Sequence, residues 1–352
     1  MPTVMNTPTF DTTALEAWLQ AHLTGFKGPL TLEAFEGGQS NPTFKLNTPS
    51  QTYVMRSKPG PAARLLPSAH AIEREFAVMS GLAGTAVPVP RMLCLCEDES
   101  VIGRAFYIMD FMAGRILWDQ SLPGMTPAER TAVYHEMNRV LAALHSVDYT
   151  QCGLATFGKP GNYFERQIGR WSRQYVASIT QPIAQMDRLM AWLPDHIPEM
   201  ARDPAMVSIV HGDYRLDNLM FHPTEPRIIA VLDWELSTLG HPLADFSYHC
   251  MAWHITPGAF RGIGGLDLAS LGIPSEEDYI RRYCERTQLA PPERLAQDWN
   301  FYLAYNLFRM AAILQGIGKR VEDGTATSAQ AVSAASGARP LAELAWQFAQ
   351  RA

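Results

Sequence analysis

The chain has 352 residues, 47% of them hydrophobic and 18% charged, which is ample for a large core in one two-lobed unit or two domains. A formal charge of -6 gives no basic field for nucleic acid or a membrane surface, and no apolar run reaches the ~18 residues that would span a bilayer. The first residues lack a basic start followed by an apolar stretch, so no signal peptide is expected and the location is read as cytoplasmic. Cys94, Cys96, Cys152, Cys250 and Cys284 are scattered and odd in number, which fits reduced, mostly buried thiols rather than a disulfide framework.

In chain order, residues 10–23 carry apolar side chains at helical spacing (Leu15, Trp18, Leu19, Leu23), with Asp11 or Thr12 as cap. Residues 30–35 alternate as a strand, and residues 44–46 and 52–56 read as two more. Between the first two lies Glu36-Gly-Gly-Gln-Ser-Asn-Pro-Thr43. Strand, Gly-rich turn, strand is the shape of a loop folded over phosphates: Gly37 and Gly38 let the backbone approach closely, and Ser40 and Asn41 add donors. Residues 68–79 form an amphipathic helix capped by Ser68. Residues 91–96 and 105–111 read as a hairpin. Thr126-Pro-Ala-Glu129 starts a helix that runs to about residue 146, with Thr cap, Pro and returning Glu. Further helices are expected over 162–179, 186–193, 243–254, 275–287, 292–315 and 329–348, with a polar break at 316–328. Tyr163, Arg166, Gln167, Arg170, Trp171 and Tyr175 on the first of these offer either a half-buried face or part of an acceptor pocket.

The informative stretch is residues 207–235, a strand, a loop, a strand, a turn and a strand ending on a carboxylate. Asp213 and Asn218 stand in His211-Gly-Asp-Tyr-Arg-Leu-Asp-Asn218, and Asp233 closes the apolar run Ile228-Ile-Ala-Val-Leu232. Phosphoryl transfer needs this set: one carboxylate to orient and deprotonate an acceptor hydroxyl, and an amide oxygen with a second carboxylate to hold Mg²⁺ against nucleotide phosphates. Asp-x-x-x-x-Asn is the spacing of the kinase catalytic loop.

With His211-Gly212-Asp213 and Asp233-Trp234-Glu235, the chain resembles the aminoglycoside phosphotransferase-like (choline kinase-like) family of the protein-kinase fold. The resemblance implies an α+β, two-lobed fold: a nucleotide-binding lobe over residues 1–112, a small antiparallel sheet with one helix, and a mainly helical catalytic and acceptor-binding lobe over 113–352. It implies MgATP as phosphoryl donor, Asp213 as base, and Asn218 and Asp233 as metal ligands. Aligning Tyr53-Val-Met-Arg56 on the kinase Val-Ala-Ile-Lys favours Arg56 over Lys58 as the phosphate cation. Glu75 is favoured over Glu73 as its ion-pair partner. The main chain of Asp110, Phe111 and Met112 would meet the adenine. Asp245, in Gly-His-Pro-Leu-Ala-Asp245, would fix the catalytic loop.

Gly-Gly-Gln-Ser-Asn-Pro-Thr-Phe, Val-Met-Arg-Ser-Lys-Pro and Leu-Asp-Trp-Glu-Leu-Ser-Thr-Leu-Gly-His-Pro are most similar to the branch fused to acyl-CoA dehydrogenase domains in animals and free-standing in bacteria. That likeness implies a hydroxyacyl-CoA thioester as small-molecule acceptor, with Arg166, Arg170, Arg309 and Lys319 as candidate contacts to CoA phosphates. From His241 onward, eleven acidic residues face ten basic ones, which is no trap for a polycation. Aminoglycoside, choline or sugar acceptors stay open as alternatives, with Trp299, Phe301, Tyr302 and Tyr305 as a conceivable aromatic cage. A non-catalytic nucleotide-binding pseudokinase is the rival class, kept alive by Arg56 and the irregular Gly loop. A monomer or homodimer is expected.

Overall fold

The computed structural model describes residues 10–35, 41–60, 71–258, 261–326 and 328–352. Gly37, Gly38 and Ser40, and the expected cap Ser68, lie outside the described residues.

The first element is α1 (Thr12–His22), whose N-cap Asp11 accepts from Thr13 N at 2.8 Å and Ala14 N at 3.2 Å. Five strands follow: β1 (Thr31–Ala34), β2 (Thr43–Asn47), β3 (Thr52–Ser57), β4 (Met92–Cys96) and β5 (Phe106–Asp110), with α2 (Ile72–Leu82) between β3 and β4. They form one antiparallel sheet in the order β1-β2-β3-β5-β4. Successive strand residues face opposite sides. Leu46, Tyr53, Met55, Phe106 and Ile108 therefore meet Leu15 and Leu19 of α1, while Tyr107 faces Ile72, Val78 and Met79 of α2. In this register Arg56 stands opposite Tyr107, so both reach the α2 face.

The larger part is mainly helical. After β6 (Arg115–Ile116) come α3 (Pro127–His145), α4 (Tyr163–Ala177), α5 (Ala184–Asp195) and the short α6 (Glu199–Arg202). The predicted capping box starts α3: Glu129 N donates to Thr126 Oγ1 at 3.3 Å, and Thr126 N to Glu129 Oε2 at 2.7 Å. Strands β7 (Ser208–Val210), β8 (Leu219–Phe221), β9 (Ile228–Val231) and β10 (Thr238–Gly240) follow, with β7 paired to β10 and β6, β8 and β9 forming a second small sheet. Then come α7 (Pro242–Cys250), α8 (Leu268–Leu271), α9 (Glu276–Thr287), α10 (Pro292–Glu322), α11 (Ala329–Ala335) and α12 (Ala338–Ala349).

Two segments depart from expectation. α10 does not stop at Gln315 but runs 31 residues to Glu322. Ile317 still packs on the core. A Cβ on Gly316 would meet Gln174 Nε2 at 3.6 Å, and one on Gly318 would meet Ala335 Cβ at 3.5 Å, so neighbouring helices lie close enough to use the missing side chains. Trp299, Phe301, Tyr302 and Tyr305 are all buried in the α10 core, where their rings pack on Phe164, Phe246 and each other rather than forming a cage. Among the described residues, no helix is long and apolar enough to cross a membrane. The five cysteines are free, with Cys96, Cys250 and Cys284 buried.

The small sheet and the helical part are tied by Arg74 of α2. Its guanidinium donates to Phe157 O at 2.8 Å and Ser237 O at 3.2 Å and lies 4.3 Å from the centre of the Phe157 ring.

Candidate active site

The segment from β7 to β10 brings the predicted residues into one cleft. Gly212 has φ +83, and a Cβ there would sit 2.8 Å from Leu236 O, so the turn before Asp213 requires glycine twice over. The buried Asp245 carboxylate on α7 accepts His211 N at 2.6 Å and Gly212 N at 2.9 Å, as its segment predicts, and His145 Nε2 lies 3.3 Å from it. Burial works against that charge, but the His145 contact and the His211 amide hold the Asp245 carboxyl below its usual range. His211 accepts Asp213 N on Nδ1 at 3.2 Å and so donates from Nε2 to Leu232 O at 2.8 Å, which makes it a brace between the loop and β9.

Asp213 is itself constrained on both oxygens. Tyr248 donates to Oδ1 at 2.5 Å; Asn218 Nδ2 and Arg215 Nε each lie 3.2 Å from Oδ2. Asn218 also donates to Asp213 O at 2.9 Å, so both of its amide hydrogens point at Asp213 and its Oδ1 faces elsewhere. Leu232 N donates to Asn218 O at 2.8 Å and ties the Asp233 turn to this loop. Asp233 adopts a left-handed conformation (φ 64, ψ 63), one that aspartate tolerates better than most side chains. The next residue, Trp234, is pinned by its indole N–H on Val231 O at 2.9 Å.

Across the cleft, Arg56 Nε lies 3.1 Å from Glu75 Oε2, and its Nη2 is 3.2 Å from Asp233 Oδ1 and 3.9 Å from Glu235 Oε2. Lys58 instead pairs with Glu73, so the two cations and two carboxylates sort into separate pairs. Glu75 is 1% exposed and also accepts Tyr107 OH at 3.1 Å and Asn41 Nδ2 at 2.8 Å. Burial, opposed by Arg56 and reinforced by the Asp233 charge, pushes the Glu75 carboxyl up to about 7.

The structure corrects several expectations. Asn41 is buried and spends its side-chain NH2 on Glu75, so it braces the ion-pair carboxylate instead of standing open above phosphates. Asp110 N–H donates to Arg91 O at 3.0 Å, and its carboxylate pairs with Arg91 at 3.0 Å. The Asp110 amide is thus engaged within the sheet, which leaves its carbonyl as the main-chain group for a base, and the segment that leaves the sheet begins at the exposed Phe111 and half-buried Met112. Trp171 and Tyr175 turn into the core and Arg166 closes on the carbonyls of Gly161 and Lys159, which removes these three from an acceptor wall, while Tyr163 and Gln167 are half-buried and Arg170 is exposed. Arg309 is buried, donates to Gly212 O at 2.6 Å and lies 5.1 Å from the Tyr248 ring centre, which removes it from contact with a solvent-borne phosphate. Lys319 pairs with Asp323 on its own helix.

Sequence reasoning missed a further set of residues at the loop. Beside Asp213 a small cleft is lined by Gln120, Arg215, Tyr248, Met251, Ile255 and Arg261. Asp217 bridges the two arginines, 3.6 Å from Arg215 Nε and 2.5 Å from Arg261 Nη1. Arg215 could have been found inside the motif, two residues past Asp213. Tyr248 and Arg261 carry no local signal, because only the fold brings them to the loop. Oxygen donors for a cation are present in Asp233 and the Asn218 amide. Among the described residues no group of three or more His, Cys, Asp or Glu could hold a metal, and a magnesium bound through one carboxylate, one amide and substrate phosphates requires none.

Comparison with known proteins agrees with this geometry. Residues 31–287 match the phosphotransferase enzyme family. The chain is 65% identical to a candidate aminoglycoside phosphotransferase of Ralstonia eutropha JMP134 and superposes on its crystal structure with a TM-score of 0.90, over 97% of this chain and 99% of that one. Acyl-CoA dehydrogenase family member 10 of Mus musculus is 48% identical over 96% of this chain but only 31% of its own length, so the chain spans about a third of that relative. An aminoglycoside phosphotransferase mutant solved with AMP-PNP and hygromycin B shares the fold at 18% identity, with a TM-score of 0.61 over 95% of this chain and 98% of that one. The chain belongs to the phosphotransferase enzyme family and carries its kinase-like fold, a small antiparallel sheet joined to a mainly helical lobe.

Proposed function

We propose that the protein transfers the γ-phosphoryl group of ATP to the hydroxyl of a small acceptor, and that this acceptor is a hydroxyacyl thioester of coenzyme A. The observation that carries the first part is the convergence of Asp213, Asn218 and Asp233 on one cleft opposite the Arg56–Glu75 pair. In this reading the acceptor hydroxyl approaches Asp213, which orients it and takes its proton. Arg215 and Tyr248 hold the carboxylate in place. Asn218 Oδ1 and Asp233 would hold Mg²⁺, which supplies charge neutralisation at the phosphates. Arg56, steadied by Glu75, meets the phosphate oxygens. ATP as donor is supported by the AMP-PNP complex of the distant neighbour.

Two observations favour the thioester over a polycationic antibiotic. The cleft beside Asp213 sets the apolar side chains of Met251 and Ile255 beside Arg215 and Arg261, whose charges Asp213 and Asp217 offset, so it offers an acyl chain apolar contact and a polyamine no excess of negative charge. The relative at 48% identity is named as a member of an acyl-CoA dehydrogenase family.

ADP release from MgATP, measured against 3-, 4- and 5-hydroxyacyl-CoA thioesters, their free acids, kanamycin and choline, tests the reading. Release with a thioester but not its free acid is the expected result. Release with kanamycin or choline alone would overturn the acceptor assignment. Tight MgATP binding with no release from any alcohol would turn the reading toward a nucleotide-binding pseudokinase.

A further inference from the structure

A second groove, apart from the cleft beside Asp213, is bordered by α3, α9 and the β8–β9 turn. His135, Glu136 and Arg139 of α3, Arg227 of the turn and Arg286 of α9 line it, and its empty volume is about 660 Å³. The protein is acidic overall, yet this groove is basic. Glu136 is satisfied by Arg139, bidentate at 2.7 and 2.8 Å, and by Ile228 N at 3.1 Å. Arg227 is matched by Glu225 at 2.9 Å. Two arginines then remain without a close ion pair among the described residues, with Glu136 and Asp278 acting on them only at longer range. Arg286 donates only to neutral oxygens, Asn138 Oδ1 at 2.5 Å and His135 O at 3.2 Å. Arg282, one turn earlier on α9, makes no hydrogen bond and no ion pair among the described residues, and its Nε is buried without a partner.

Like charges four residues apart on a helix repel, and the usual arrangement places an acid at one of the two positions. Here Asp278, four residues before Arg282, is drawn off by Arg281 and by the Ser275 cap. The concentration of positive charge acts on the neighbours, second to burial. Burial, then the Arg282 and Arg286 charges, hold His135 below its usual range. Burial lowers Arg286 as well, with Arg282 and Arg139 adding to it and Tyr279 and Glu136 opposing. Guanidinium forks on one helix face, with Arg139 across the groove partly engaged by Glu136, suit an oxyanion that accepts paired N–H bonds, such as a phosphate.

We propose that Arg139, Arg282 and Arg286 form a binding site for a phosphate-bearing anion, separate from the nucleotide cleft. An anion seated against Arg286 in the groove offsets the charge of the pair, with Arg282 acting from beside the groove rather than from its lining. The site lies near the catalytic loop: Met137, beside Glu136 on α3, accepts the Tyr214 hydroxyl at 2.9 Å, and Tyr214 adjoins Asp213.

The test is calorimetric titration of inorganic pyrophosphate into the full chain, with the nucleotide cleft saturated by AMP-PNP, magnesium in excess and ionic strength matched with sodium chloride. Saturable binding is expected in the wild type, and at least tenfold weaker binding in the R282A/R286A double variant. Equal affinity in the two proteins, or no saturable binding in the millimolar range, would overturn the proposal. Should the double variant not fold, R286A alone, at an exposed position, is expected to weaken binding by several-fold, and an unchanged constant has the same overturning force. A parallel titration with ADP separates sources: loss of ADP binding in the variant assigns a nucleoside diphosphate, and loss of pyrophosphate binding alone assigns the inorganic ion.

Discussion

Arg56 on β3 and Asp233 after β9 stand 177 positions apart in sequence and 3.2 Å apart in the fold. The same guanidinium reaches Glu75 of α2, so one side chain links the small sheet, its helix and the turn that carries the proposed metal ligand. A lysine cannot span both carboxylates, because its single ammonium lacks the planar fork. Arg56→Lys is therefore expected to lower kcat/KM for ATP by about 10–100-fold, of the order of 1.4–2.7 kcal/mol in transition-state stabilisation. Steady-state kinetics on the folded variant checks this, and an unchanged kcat/KM would remove Arg56 from phosphate handling.

Glu75 gives the protein a pH signature. Its carboxyl is raised from 4.5 to about 7, by burial first, with Arg56 opposing and Asp233 adding to the rise. A raised carboxyl means that the folded state holds the proton more tightly than the unfolded one. The stability this contributes is fully present below the unfolded value and is lost as pH rises through about 7. Glu75→Gln removes that titration. The stability of the variant relative to the wild type is expected to rise between about pH 5 and pH 8 in urea unfolding. A flat difference across the window would show that burial does not control Glu75.

Much of this site could be read from local spacing, and the part that could not has a physical cause. Asp213, Asn218 and Asp233 sit within one β-turn-β segment, where short-range geometry fixes which residues meet. Arg56 and Glu75 could be paired only through the kinase resemblance, and the choice against Lys58 and Glu73 rested on it. Tyr248 reaches the loop because α7 docks beside it, held by Asp245, and nothing local in the sequence says which residue of that helix faces Asp213; Arg261, beyond the helix, meets Asp217. Asn41 was misread for a similar reason: an asparagine beside glycines looks like a loop donor until a buried carboxylate arrives from another element.

Asp213 and Tyr248 separate chemistry from positioning. Asp213→Ala removes the proposed base and is expected to lower turnover by about 10²–10⁴-fold while leaving nucleotide affinity within about twofold. Tyr248→Phe keeps the ring and deletes one hydrogen bond to Oδ1, so a loss nearer tenfold is expected, mostly in kcat. Rapid-quench turnover together with equilibrium ADP binding distinguishes the two. Full activity in Asp213→Ala would remove it from proton transfer, and a loss in Tyr248→Phe equal to that of Asp213→Ala would promote the phenol to a direct chemical role.

Asp245 is expected to be the costliest of these residues to alter. Its carboxylate takes the His211 and Gly212 amides and the His145 contact with almost no exposure to solvent. In Asp245→Asn one accepting oxygen becomes an NH2 group that faces an N–H donor, so a charge-assisted hydrogen bond is replaced by a repulsive contact. A loss of about 3 kcal/mol in unfolding free energy is expected, with activity falling as the Gly212 turn relaxes. The pH dependence has the opposite sign to that of Glu75. The lowered Asp245 carboxyl contributes stability above the ordinary aspartate range, and this is lost as pH falls through its depressed value. Denaturant midpoints measured downward from neutral pH should therefore converge for the wild type and Asp245→Asn as the medium becomes strongly acidic, and a constant gap would assign the loss to shape rather than charge.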